Sequence, residues 1–138
     1  MTDNYFELAE FFEKCSSKEI YEVINNREKS ANLLRLWQLM NRLRYWLQFP
    51  ILINSGYRGR EHNKRVGGVF NSQHCYMQAV DVTCQSQDCL DRLWGILTTR
   101  VDLFYEVGQI IYYKKRKFIH IALPNEKHPC VESFYINS

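Results

Sequence analysis

Apolar spacing in this chain changes at Pro50, and that change limits the folds open to it. Before Pro50 the apolar residues recur near every 3.6 positions, as on one face of a helix. Phe6, Leu8, Phe11 and Phe12 begin the series. Ser16 with Glu19 has the form of a capping box and opens a second short helix through Ile20, Val23 and Ile24. Ser30 then precedes the longest stripe, Leu33, Leu36, Trp37, Met40, Leu43 and Leu47. After Pro50 the pattern shortens to strand-length runs: Ile51–Ile53, Ala79–Cys84, Ile110–Tyr113 and Phe118–Leu123, with Val131–Ile136 as an edge candidate. One helix interrupts them, capped by Ser86 and carrying Leu90, Leu93, Trp94 and Leu97. Residues 60–66 have room for one or two helical turns closed by Gly67-Gly68. Helices followed by strands with few long connections predict an α+β fold, N-terminal helices on a small antiparallel sheet. The basic stretch Lys114-Lys115-Arg116-Lys117 is the expected hairpin turn.

The chemistry concentrates in three residues. His74 lies in Asn71-Ser72-Gln73-His74, in an irregular stretch before a strand. Asp81 lies in the strand Gln78-Ala79-Val80-Asp81-Val82, and His120 in the later strand Phe118-Ile119-His120-Ile121. Two imidazoles and a carboxylate suit Zn²⁺ and leave a fourth position for water, which distinguishes a hydrolytic site from a closed structural one. A lone histidine on a strand is more often a satisfied core residue, so the set carries the reading, not any one member.

The bulk numbers narrow the rest. At 138 residues the chain is expected to form one domain, 1–138, and 46% hydrophobic content makes it globular. A net charge of +3 does not call for nucleic acid, and the arginines at 35, 42 and 44 read as a solvated helix face. No apolar run is long enough to span a membrane. Met1–Tyr5 has neither the basic nor the apolar region of a secretory signal, so synthesis and folding in a cytoplasm are expected. The five cysteines, an odd number in no zinc-finger or CxxC spacing, read as reduced thiols. Cys75, beside His74, is the one to watch as an extra ligand or a redox-sensitive group. His62 reads as a surface residue of the short helix, and His128 as a loop residue.

Taken in order, Ile53-Asn54-Ser55-Gly56-Tyr57-Arg58, Asn63-Lys64, Val66-Gly67-Gly68, Ser72-Gln73-His74, Ala79-Val80-Asp81 and Phe118-Ile119-His120-Ile121 resemble the zinc D-Ala-D-Ala carboxypeptidases of the M15 peptidase family. The resemblance is to its small single-domain branch in bacteria and bacteriophages, and it covers residues 4–123. It implies a fold shared with the hedgehog signalling domain, zinc held by His74, Asp81 and His120, and substrate contacts from Arg58, Ser72 and Gln73. Gln109 also falls on a family position. A guanidinium at Arg58 would clamp a carboxylate or stabilise an oxyanion. The implied substrate is a peptidoglycan stem peptide and the implied state a monomer. Without a signal peptide, delivery to the wall by phage lysis or in a virion is the expectation.

Two positions depart from the family pattern. Met77 stands where HxxGxAxD has its glycine. Lys117 stands three residues before the last histidine, where many members carry an acidic general base. Lysine takes a proton from water only if its pKa is strongly lowered. Glu106 is the nearest acid before the hairpin. With 114–117 as the turn it lies on the order of 16 Å along the strand from His120, unless a bulge at Gly108 shortens the path. Glu126 and Glu132 from the tail are the other candidates, or no base is present. The leading reading is therefore a zinc peptidase of peptidoglycan peptides. A zinc-containing wall-binding protein without catalysis is the second, and a hedgehog-like interaction domain the third.

Overall fold

The computed structural model describes residues 4–129 and 131–136. A 3-10 turn (Leu8–Phe12) is followed by α1 (Ser17–Ile24), α2 (Arg27–Leu47), β1 (Leu52–Ser55) and α3 (Arg60–Arg65). A second 3-10 turn (Gln73–Tyr76) precedes β2 (Ala79–Thr83), α4 (Gln87–Thr99), β3 (Gln109–Tyr113), β4 (Phe118–Ala122) and β5 (Glu132–Ile136). The strands form one sheet in the order β1-β2-β4-β3-β5. The fold class is α+β.

The capping box at α1 forms as the sequence indicates: Ser16 accepts from Glu19 N–H, and the Glu19 carboxylate accepts from Ser16 N–H at 2.9 Å. The long helix starts earlier than expected. Asn26, not Ser30, caps α2 by accepting from Lys29 N–H at 3.0 Å. Ser30 is free for another role and donates its hydroxyl to Val23 O at 2.7 Å, tying α2 to the end of α1. At the other end Gln48 takes the left-handed conformation, φ 66°, two residues before Pro50. Trp37 Nε1 donates to Phe6 O at 2.7 Å, and buried Asn41 accepts from Phe6 N–H at 3.0 Å, which pins the N-terminal segment across α2.

Leu36, Leu39, Met40, Leu43 and Leu47 of α2 join Leu90, Leu93 and Leu97 of α4 and the inward residues Val80, Val82, Ile110, Tyr112, Ile119 and Ile121 in one apolar core. A Leu43→Ala substitution removes a fully buried side chain. It is expected to cost about 2–5 kcal/mol, seen as a lower urea midpoint at unchanged slope.

The sheet is mixed, which corrects the antiparallel expectation. β1, β2, β4 and β3 pair antiparallel, but β5 runs parallel to β3, with Gln109 opposite Glu132 and Ile111 opposite Phe134. The cause is topological. β4 ends with Ala122 beside Gln109, at the start of β3. The chain then needs only the 123–131 connection to enter on the far edge of β3, and Glu132 N–H bonds Gly108 O at 3.1 Å as it does so. The alternation of strand residues leaves Asp81 and His120 on the face opposite the core.

Candidate metal centre

Asp81 and His120 are direct cross-strand partners in β2 and β4. Their side chains therefore start within reach of one another, and Asp81 Oδ1 lies 2.8 Å from His120 Nδ1. His74 arrives from the 3-10 turn before β2. Ser72 caps that turn, its Oγ accepting from His74 N–H at 3.2 Å. Buried His74 has its Nδ1 2.7 Å from Gly56 O. A carbonyl only accepts, so Nδ1 carries a proton, and Nε2 is the nitrogen left to ligate a metal. That Nε2 is 3.3 Å from Asp81 Oδ1.

One nitrogen from each imidazole and one oxygen of Asp81 thus lie within 4.8 Å of one another. Tetrahedral coordination with bonds of about 2.0–2.2 Å places donors about 3.3 Å apart. The observed separations of 3.3 and 2.8 Å match that spacing with little movement. Burial alone would raise the Asp81 pKa, but hydrogen bonds and charge from His120 and His74 outweigh it and hold the carboxyl well below its ordinary value. The donor set therefore contains an ionised carboxylate and an imidazole whose Nδ1 is already committed to Gly56, which leaves Nε2 turned toward Asp81. It fits a metal ion.

Around these three lies an orienting shell. Arg58 Nη2 approaches the other carboxylate oxygen, Asp81 Oδ2, at 3.4 Å, which leaves Oδ1 facing the histidines. Arg58 is held in turn by Ser55 Oγ at 3.0 Å and Asn63 Oδ1 at 3.3 Å. Asn63 is anchored through its amide to Val69 O at 2.7 Å. Gly68 is required here, because a Cβ would sit 2.0 Å from Asn63 Oδ1. Arg58 N–H also donates to His74 O at 3.1 Å, so the arginine segment and the histidine turn brace each other.

The structure brings Arg58, His74, Asp81 and His120 together. Ser72 and Gln73 lie beside them with local partners: Ser72 Oγ caps the His74 turn, and Gln73 Nε2 donates to Leu123 O at 3.0 Å. Gln109 begins β3 opposite Ala122. Glu106 goes elsewhere. It forms an ion pair with Arg42 of α2 and lines a cavity with Asn32, Arg35, Gln38 and Tyr105. Glu132 sits on the edge strand and pairs with His128 Nδ1 at 2.5 Å. Among the described residues no second carboxylate belongs to the His74–Asp81–His120 donor cluster. Lys117 is exposed in the hairpin turn with φ 60°, its carbonyl accepting from Thr83 Oγ1 at 2.7 Å.

Met77 keeps the glycine-like geometry of its position, φ 56°, with its side chain fully buried in the core. Cys75 is buried and free, outside the donor cluster, and burial pushes its thiol pKa up. Cys130 lies outside the described residues. His62, expected at the surface, is buried instead, because Glu19 receives its Nδ1 at 2.9 Å. Gly56, Ser55 and Asn63 were not singled out for the site from sequence. They stand inside motifs that were recognised, but a carbonyl or amide acting on another residue's side chain leaves no mark of its own in the sequence.

No curated protein matches the chain. The family model described as Peptidase M15 matches residues 4–122, which takes in the N-terminal helices, the Arg58 segment, the His74 turn and the two strands that carry Asp81 and His120. The chain belongs to the M15 peptidase family.

Proposed function

We propose that the protein is a zinc-dependent peptidase acting on the stem peptides of peptidoglycan. The observation that carries this is the convergence of His74, Asp81 and His120, with Gly56 fixing one imidazole and Arg58 the carboxylate, in a chain of the M15 family. Bound by these residues, Zn²⁺ would supply a Lewis acid for the scissile carbonyl and an acidified water. Arg58 holds Asp81 in its ligating orientation and lies near enough to the donor cluster to meet a substrate carboxylate or a developing oxyanion. Arg58→Ala should lower kcat/KM by about 10²–10³-fold, the scale of losing one preorganised charged donor. Retention of full activity would remove Arg58 from the site.

A second reading has its own support. Lys117 occupies the exposed turn, and Glu106 is paired with Arg42. A wall-binding protein that holds zinc without cleaving is consistent with both. The experiment is a digest of purified muropeptides with zinc-loaded protein, with and without chelator, weighed by mass spectrometry. A chelator-sensitive mass loss is expected, and its size names the bond, whether D-Ala-D-Ala or an endopeptidase target. Zinc-loaded protein that binds wall fragments and releases nothing across several wall chemistries would establish the second reading.

A further inference from the structure

We propose a second metal site, formed by Cys15, Glu19 and His62, that takes a divalent ion of the zinc class. One thiol sulfur, one carboxylate oxygen and one imidazole nitrogen from these residues lie within 4.8 Å of one another. Thiolate, imidazole and carboxylate are the zinc donor types, and the sulfur favours a softer ion over calcium or magnesium. Glu19 and His62 are each 7% exposed, so two of the three donors are held in place by packing. They are not sealed off. Glu19 and His62 line an open cavity of about 300 Å³ together with Ser16, Glu22, Gly59 and Arg65, which gives an ion an entry path. A Cβ on Gly59 would fall 3.3 Å from both Glu19 Oε2 and Glu22 Oε1, so a second carboxylate borders the cluster, outside the three-donor group, and water would fill the remaining coordination positions.

As they stand, these groups also have hydrogen-bond partners. His62 Nδ1 is 2.9 Å from Glu19 Oε2, and the Cys15 thiol donates to Tyr57 O at 3.1 Å. Coordination replaces the thiol proton and the proton between His62 and Glu19 with the ion and releases them to solvent. The consequence lies in where the cluster sits. Cys15 touches Tyr57, Glu19 accepts from Gly59 N–H at 2.8 Å, and His62 belongs to α3. Arg58 lies between Tyr57 and Gly59. An ion here would clasp the start of α1 to the segment that presents Arg58 to Asp81. The site shares no ligand with the His74 centre and stands whether or not the peptidase reading does.

Cobalt and zinc titrations of the metal-stripped 138-residue chain test it, because only a site with a cysteine ligand gives a thiolate-to-cobalt charge-transfer band. Two equivalents of metal are expected in the unaltered chain, and one each in Asp81→Ala and Cys15→Ser. The band should be present in the unaltered chain and in Asp81→Ala, and absent in Cys15→Ser. A single equivalent with no band, or a band that survives in Cys15→Ser, overturns the proposal. Should Cys15→Ser fail to fold, His62→Gln is the second variant. Weakening of the band-forming equivalent by tenfold or more supports the site, and unchanged affinity overturns it.

Discussion

Asp81→Ala is expected to lose the metal held with His74 and His120, and peptidase activity with it. Asp81 is the geometric centre of the donor set: Oδ1 is 2.8 Å from His120 and 3.3 Å from His74, and Oδ2 is held by Arg58. Without it two imidazoles remain, one of them no longer restrained across the sheet. Metal-assisted polarisation contributes several kcal/mol, and each 1.36 kcal/mol is tenfold in rate, so a loss of about 10³-fold or more is expected. The fold should persist, because Asp81 lies on the face of β2 away from the apolar core, and His74 keeps its bond to Gly56. Asp81→Asn separates shape from charge. It keeps the side-chain size and should still lose most of the affinity, since the ligating oxygen is no longer anionic. Metal content by elemental analysis, read beside the muropeptide digest and circular dichroism, checks the set. Full activity in folded Asp81→Ala would sink the metal assignment.

The convergence of His74, Asp81 and His120 was readable from sequence because these residues sit in or beside patterned elements. Alternation in Ala79–Thr83 and Phe118–Ala122 places Asp81 and His120 on one face, and the four-residue hairpin 114–117 fixes the register that sets Ile111 against His120. Capping chemistry located α1 and α4 through Ser16 and Ser86, since a side-chain oxygen before an apolar stripe has a local purpose. What was missed depends on contacts distant in sequence. Ser30 precedes the apolar stripe as a cap would, but Asn26 caps α2, and only the packing of α1 on α2 gives Ser30 a carbonyl at Val23. The parallel β5 follows from where β4 leaves the chain, a property of the sheet and not of Glu132–Ile136. His62 is polar and stands in a short basic helix, yet Glu19, 43 positions earlier, buries it. Glu106 was considered as a base by its position along the strand, whereas its partner Arg42 comes from a helix that no strand count includes.

Gly56→Ala should be the most damaging single-carbon change near the site. A Cβ at residue 56 would lie 2.1 Å from Phe11 O and 2.7 Å from Phe11 C, both backbone atoms with no rotamer to escape through. Phe11 O also accepts from Tyr57 N–H at 2.9 Å, so the N-terminal turn cannot withdraw without breaking that bond and loosening buried Phe11 and Tyr57. Overpacking of this kind costs about 3 kcal/mol. The second effect is on the metal. Gly56 O is what holds His74 Nδ1, at 2.7 Å, and a shifted carbonyl loses its control of the imidazole tautomer. Loss of such an orienting partner weakens metal affinity by about 10–100-fold. Gly95→Ala is the matched control: it lies in α4 with nothing within 4 Å of the added carbon and should raise stability by about 0.5–1 kcal/mol. Urea denaturation and zinc titration of the two variants separate the effects. If Gly56→Ala matches Gly95→Ala in both, the turn does not press on residue 56, and some group other than its carbonyl orients His74.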